Sequence, residues 1–229
     1  MAPFCRQALA PPWSTRSKVE VAADVAWDAT ETLVDPPSEG TQMADQRESE
    51  EWQVLGVRPV YESRWVKLEM AEVQLPSGQH FEHHKVTMPA AAMAVVLSDD
   101  GERVLLSWRH RFAADLWNYE LPGGLIDEGE APEDTVVREI AEETGYRPKE
   151  VRHLVTFEPM IGMVSSPHQL FLAQGVEWVA EPTELDEGKF EWVEMSLVPE
   201  LIRAGKISNS GTLVGLLHVL ALGGLEDPK

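Results

Sequence analysis

Gly124-Leu125-Ile126-Asp127-Glu128-Gly129-Glu130, then Ala131 to Val137, then Arg138-Glu139-Ile140-Ala141-Glu142-Glu143-Thr144-Gly145-Tyr146, is the stretch whose reading decides the fold. Residues 133–144 read as a helix. Pro132 suits its first turn, where a missing N–H costs nothing, and Glu133 and Asp134 complement the positive helix end. Gly145 fits the C-terminal stop. At about 100° per residue, Glu139, Glu142 and Glu143 share one stripe, and Val136, Ile140 and Thr144 form the adjoining one. The apolar stripe is expected to lie on a sheet, with the glutamates at the edge of that contact. Like charges at i and i+4 destabilise a helix by roughly 0.2–0.5 kcal/mol per pair, so something should offset them. A hard divalent cation that takes carboxylate and carbonyl oxygens does so. The plainer alternative is a solvated acidic face with Arg138 as its internal counterion.

Outward from this helix, the chain divides by composition. Residues 1–50 carry Pro11-Pro12, Pro36-Pro37 and an acidic polar run without a clear period, and read as a disordered arm. From Trp52 the pattern becomes that of strands, at 54–60, 65–75 and 79–88. The last two are separated by Leu75-Pro76-Ser77-Gly78, a turn signal that makes them a hairpin. Residues 91–97 form a continuous apolar run, consistent with a buried strand. Residues 103–108 and 116–121 follow as strands before Pro122-Gly123-Gly124. Beyond the glutamate helix come strands at 151–157, 169–175 and 190–195 and helices at 197–204 and 212–222. This order implies an α+β domain with a mixed sheet. The division read from it is an arm over 1–50, a strand extension over 51–88 and a main domain over 89–224.

The bulk composition narrows the function classes. The formal charge is 19 − 39 = −20, which argues against a nucleic-acid binder with a basic footprint and against an anionic membrane surface. No apolar run approaches the ~18 residues of a membrane span. The single cysteine, Cys5, excludes an internal disulfide and a Cys-rich zinc site and suits the cytoplasm. An acidic protein that takes an anionic phosphate substrate needs intervening cations.

The segment 124–146 resembles the Nudix box, G-x5-E-x7-R-E-U-x-E-E-x-G-U with U bulky and apolar, at Gly124, Glu130, Arg138, Glu139, Ile140, Glu142, Glu143 and Gly145. Tyr146 departs mildly, being aromatic. The resemblance implies a Nudix fold, a mixed β-sheet sandwiched between helices, here with an N-terminal β-hairpin extension. It implies Mg²⁺- or Mn²⁺-dependent hydrolysis of the pyrophosphate bond of a nucleoside diphosphate joined to another moiety. By position in the box, Glu139 and Glu143 look like the main metal ligands, with Glu142 close by as ligand or base and the Gly123 carbonyl as a further ligand. Gly124, Glu130, Arg138 and Gly145 are implied to be structural.

Outside the box, Glu120-Leu121-Pro122-Gly123-Gly124-Leu125-Ile126-Asp127-Glu128-Gly129-Glu130 is similar to the E-L-P-A-G-L-I-D-x-G-E run of ADP-ribose and nucleoside-diphosphate-sugar pyrophosphatases, with Gly123 in place of alanine. That makes ADP-ribose the leading expected substrate, with AMP and ribose 5-phosphate as products. Another nucleoside-diphosphate sugar, a dinucleotide, or a non-catalytic sensor of such a ligand are the alternatives. Arg109 and Arg111 are candidates for bidentate phosphate recognition, or else ordinary surface charges. Similar pyrophosphatases are dimers that exchange N-terminal strands, so residues 51–88 are expected to dimerise and Arg64 to reach a partner's nucleotide site. Some Nudix enzymes place a further glutamate on a distant loop. Here the Glu184-Leu185-Asp186-Glu187-Gly188 stretch offers Glu187 first, with Asp186 or Glu184 as substitutes; a solvated acidic loop is the competing reading. Trp65, Trp117 and Trp192 are expected in the core.

Overall fold

The computed structural model describes residues 51–184 and 188–222. The expected arm over 1–50 lies outside the described residues. The strand β4 (Ala91–Val96) sits at the centre. It runs parallel to β11 (His168–Gln174) and antiparallel to the short β7 (Gly123–Leu125), while β11 pairs antiparallel with β9 (Glu150–Phe157). A second sheet has the order β13 (Lys189–Glu194), β5 (Arg103–Arg111), β6 (Leu116–Glu120), all antiparallel. A bridge between Leu97 and Val104 links β4 to β5 across the Asp99-Asp100-Gly101 turn. The mixed sheet expected from the order of elements is present.

Because side chains alternate along a strand, β4 serves two layers at once. On one side Ala92, Ala94 and Val96 meet Val136 and Ile140 of α1 (Pro132–Thr144), together with Leu105 and Phe171. The small alanines let this helix come close. On the other side Val95 and Leu97 join Leu106, Leu121, Leu170, Val198, Ile207 and Leu216, covered by α2 (Val198–Arg203) and α3 (Ser210–Leu222). Ile140 is fully buried, a placement that contributes about 1.5–3 kcal/mol for a side chain of this size. The sheet is thus sandwiched between helices.

The N-terminal extension is an antiparallel meander of β1 (Gln53–Glu62), β2 (Lys67–Gln74) and β3 (His80–Thr87). It is tied to the rest by the parallel two-residue strand β10 (Val164–Ser165) on β3. Ala71 and Val73 of β2 are buried, whereas every residue of β1 is exposed. A further two-residue pair joins β8 (Tyr146–Arg147) to β12 (Glu177–Trp178). The tryptophans correct one expectation. Trp65 and Trp117 are more than half exposed, and only Trp192 packs against the layer under α1. Trp117 instead stacks on Trp108 with ring centroids 6.0 Å apart on the outer face of β5 and β6.

Candidate active site

Helix α1 presents its glutamates as the wheel requires, with Glu139 and Glu143 buried beside Val136, Ile140 and Thr144. Gly145 ends the helix in the left-handed conformation, its N–H bonded to the Ala141 carbonyl. The two glycines before the helix are explained by these side chains. The Gly123 N–H donates to Glu143 Oε2 at 2.9 Å. A Cβ on Gly124 would overlap the Glu139 carboxylate where it now lies, so glycine lets β7 pass without displacing that side chain.

Arg138 organises the rest of the box. Its Nε and Nη2 donate to the two oxygens of Glu130 at 2.9 and 3.0 Å, and its Nη1 to Glu139 Oε1 at 2.8 Å and Glu142 Oε2 at 3.0 Å. Glu130 also accepts from the Thr135 hydroxyl at 2.7 Å. Hydrogen bonding from Arg138, then Thr135, holds the Glu130 carboxyl down at about 2, and the same pairing raises Arg138. Through this fork Arg138 on the helix is tied to Glu130 in the loop before it.

A third carboxylate joins from a distant loop. The backbone N–H of Thr183 donates to the Glu142 carbonyl at 2.8 Å, pinning this loop to the last turn of α1. Glu184 then supplies an oxygen that lies, with oxygens of Glu139 and Glu143, in a group all within 4.8 Å of one another. Burial pushes the Glu139 carboxyl up and the Glu143 carboxyl up to about 7. Two buried carboxylates and an exposed third this close could hold a cation, and an all-oxygen carboxylate set suits Mg²⁺ or Mn²⁺ better than a softer metal. Glu142 is not in this group; its side chain is half-exposed and paired with Arg138. Glu187 lies outside the described residues, and Glu184, named above only as its substitute, takes the place in the cluster.

The cluster forms one wall of a cavity of about 570 Å³ that Trp65, Met93, Arg109, Arg111, Gly123 and His168 help to line. Arg109 and Arg111 lie within β5 and not after it. Arg109 is nearly buried, its Nη1 3.6 Å from Glu143 Oε1, and burial lowers its pKa. Arg111 is half-exposed and forked onto Glu120, with Nε 2.9 and 3.1 Å from the two oxygens. Arg64 lays its guanidinium over Trp65, 4.1 Å from the ring centroid. Trp65, expected in the core, and His168 were not picked out from the sequence as binding residues. The His168 Nδ1 atom is buried without a hydrogen-bond partner among the described residues, and burial lowers the pKa of the ring. His83 contacts the Gly162 carbonyl and His110 contacts Asp115, so neither enters the carboxylate cluster.

Comparison with known proteins agrees with this geometry. The chain matches the NUDIX domain over residues 87–209. It is 49% identical, over 77% of its length and 85% of the relative, to a CMP-5'-(N-acetyl-N-hydroxy-3-aminopropyl)phosphonate hydrolase of Streptomyces rubellomurinus. It is 28% identical, over 78% of its length and 98% of the relative, to an ADP-ribose pyrophosphatase of Bacillus subtilis. A crystal structure of an ADP compounds hydrolase superposes with a TM-score of 0.67 at 19% identity, covering 75% of this chain and 94% of that one.

Proposed function

We propose, from the premise that this chain belongs to the Nudix family and is a Nudix hydrolase, that it cleaves the P–O–P anhydride between a nucleoside monophosphate and a second phosphoryl group. The observation that carries this reading is the convergence of Glu139, Glu143 and Glu184 on the wall of a cavity that Arg109 and Arg111 also line. The two α1 glutamates would hold Mg²⁺, with the Gly123 carbonyl as the further ligand that the resemblance implies. Bound there, a divalent cation would supply neutralisation of pyrophosphate charge and activation of water. The chain's own groups do the rest. Arg109 and Arg111 receive phosphate oxygens, for which a guanidinium is suited. Glu184, within 4.8 Å of the other two carboxylates, accepts the proton of the attacking water. Water adds across the anhydride, giving a nucleoside monophosphate and a second phosphorylated product.

ADP-ribose, giving AMP and ribose 5-phosphate, is the first substrate we assign, supported by the run from Glu120 to Glu130 and by the pyrophosphatase of Bacillus subtilis. A second reading has its own observation. The 49% identity to a hydrolase of a CMP-linked phosphonate favours a nucleotide whose second phosphorus is a phosphonate. Both place the same bond over the same carboxylates. A non-catalytic sensor has no need of three converging carboxylates. The deciding experiment incubates the protein and Mg²⁺ with ADP-ribose, other nucleoside-diphosphate sugars, dinucleotides and a CMP-phosphonate, with product identification by mass spectrometry. Release of AMP from ADP-ribose, stopped by chelation, supports the first reading. Cleavage of the CMP-phosphonate alone selects the second, and cleavage of none refutes both.

A further inference from the structure

Arg111 depends on neighbours that lie beneath it. Residues 107, 109 and 111 of β5 share a face with residues 118 and 120 of β6, because the strands pair as Ser107 with Glu120 and Arg109 with Asn118. Glu120 is buried yet carries a carboxylate. It accepts from Arg111 Nε at both oxygens and from Nη2 at one, and from Asn118 Nδ2 at 3.1 Å. Asn118 is itself fully buried, and its Oδ1 accepts from the Ser208 N–H at 2.8 Å and the Ser208 hydroxyl at 3.2 Å. A chain of polar contacts thus runs from the loop before α3, through the sheet, to a guanidinium that lines the cavity. The fork occupies Nε and Nη2 and leaves the Nη1 donors of Arg111 without a protein partner among the described residues.

We propose that Glu120 is a positioning residue: anchored by Asn118, it fixes the plane of the Arg111 guanidinium so that the remaining N–H donors meet a phosphate oxygen of the substrate. A buried carboxylate beside an anion site is otherwise a liability, because it repels the ligand. Evolution of a neutral residue there would be the simpler course if only charge mattered. A planar guanidinium gains from a fixed fork, since less rotamer freedom is lost when the ligand arrives.

The inference rests on the anhydride-cleaving reading, and the test separates the two. Binding of inorganic pyrophosphate in the presence of Mg²⁺ is measured by calorimetry for the full chain and for R111A, E120Q, R111K and the double variant E120Q/R111A. Thermal midpoints are recorded alongside. The sign is diagnostic. Removing a negative charge from the edge of an anion site favours the anion by electrostatics alone, so E120Q would tighten binding if Glu120 were only a nearby charge. Positioning demands the opposite, a weakening of about tenfold, in the range of a charge-assisted hydrogen bond. It further demands that E120Q add little in the R111A background, as residues acting through one another are not additive. R111K keeps the charge but cannot be held in a fork, and should weaken binding nearly as much as R111A. Unchanged or tighter binding by E120Q, additive losses in the double variant, or wild-type affinity in R111K each overturns the proposal. R111K decides the question should E120Q fail to fold. Pyrophosphate that does not bind the unaltered protein overturns the anhydride reading and this inference with it. Substrate kinetics supply the second readout: a rise in KM for E120Q larger than its fall in kcat.

Discussion

The residues that matter most here are destabilising where they stand, and that makes them testable. Glu143 is buried, shares its surroundings with Glu139 and Glu184, and is pushed up by burial. Glu143→Gln removes one of these charges and no volume. Turnover should fall by about 10²-fold or more, as for loss of a group that holds the reacting assembly. At pH values above about 7 the metal-free variant should melt higher than the metal-free wild type, because burial outweighs the Gly123 N–H and Arg109 and makes the ionised Glu143 carboxylate costly. Added Mg²⁺ should raise the melting point of the wild type but not of the variant. A variant that keeps near-wild-type turnover at saturating Mg²⁺ removes Glu143 from the site. Glu130 behaves in the contrary way, its folded pKa depressed to about 2 from 4.5 by Arg138. Its contribution is fully present above about 4.5 and is lost as pH falls towards 2. Glu130→Gln should therefore lower stability at neutral pH, and the gap between variant and wild type should close on acidification over that window. A gap that stays constant down to the lower limit would mean the Glu130–Arg138 fork contributes nothing through charge. At this scale the α1 residues were legible, since spacing on a helix fixes direction. Glu184 was legible only as one acid among several in a loop, because nothing periodic tells which acid in a loop turns inward. Trp65 misled for a related reason: large apolar side chains are usually core, and the half-exposed ones at binding sites carry the same sequence signature.

Among the elements, β7 is closely confined between β4 and α1. Gly124 abuts the Glu139 carboxylate, and Gly123 bonds Glu143 while pressed against β4. Gly124→Ala should cost about 1–3 kcal/mol, the usual penalty of overpacking, read as a lower denaturant midpoint with helical signal retained. Its Mg²⁺ affinity should fall as well, because Glu139 must move to admit the methyl group. Unaltered stability and unaltered Mg²⁺ binding together would show that β7 has room to shift. This same element exposes a limit of sequence reading. Pro122-Gly123-Gly124 carries the marks of a turn, yet residues Gly123–Leu125 pair with β4 as a strand. The pairing is imposed by the tertiary packing, not by any strand propensity of glycine. The two-residue strands β8, β10 and β12 are of the same kind. By contrast β4 and α1 were plain from their patterns, because an unbroken apolar run and a 3.6-residue stripe each admit few placements.

Over the whole molecule, the question left by the fold is what covers β1. It is the edge strand of its sheet, and every one of its residues is exposed. Val54, Val57, Val60 and Tyr61 are each about half exposed, with Trp52 and Trp65 nearby in sequence also more than half exposed. An edge strand with apolar side chains is a template for another chain. β1 does carry Arg58, Pro59, Glu62 and two irregularities in its pairing with β2, devices that blunt an edge, yet its valines and Tyr61 remain exposed. The net charge of −20 keeps copies apart in general but does not fall on these valines. We propose a second copy as the occupant, because a two-fold interface buries the same patch on both partners without further specification. Trp65 lines the cavity and carries Arg64 stacked upon it, so an interface over β1 to β3 would lie next to the substrate site. A homodimer follows as the expected state, with activity tied to it. Sedimentation velocity on V57D/V60D, with both changes on the exposed strand and outside the cavity, should show a monomer where the wild type shows a dimer. The melting transition should persist, since neither residue contributes to the core. Turnover of the wild type should decline on dilution through the dissociation range, in step with the loss of dimer. A wild type that sediments as a monomer while fully active would leave β1 without a covering copy and would confine the substrate site to a single chain.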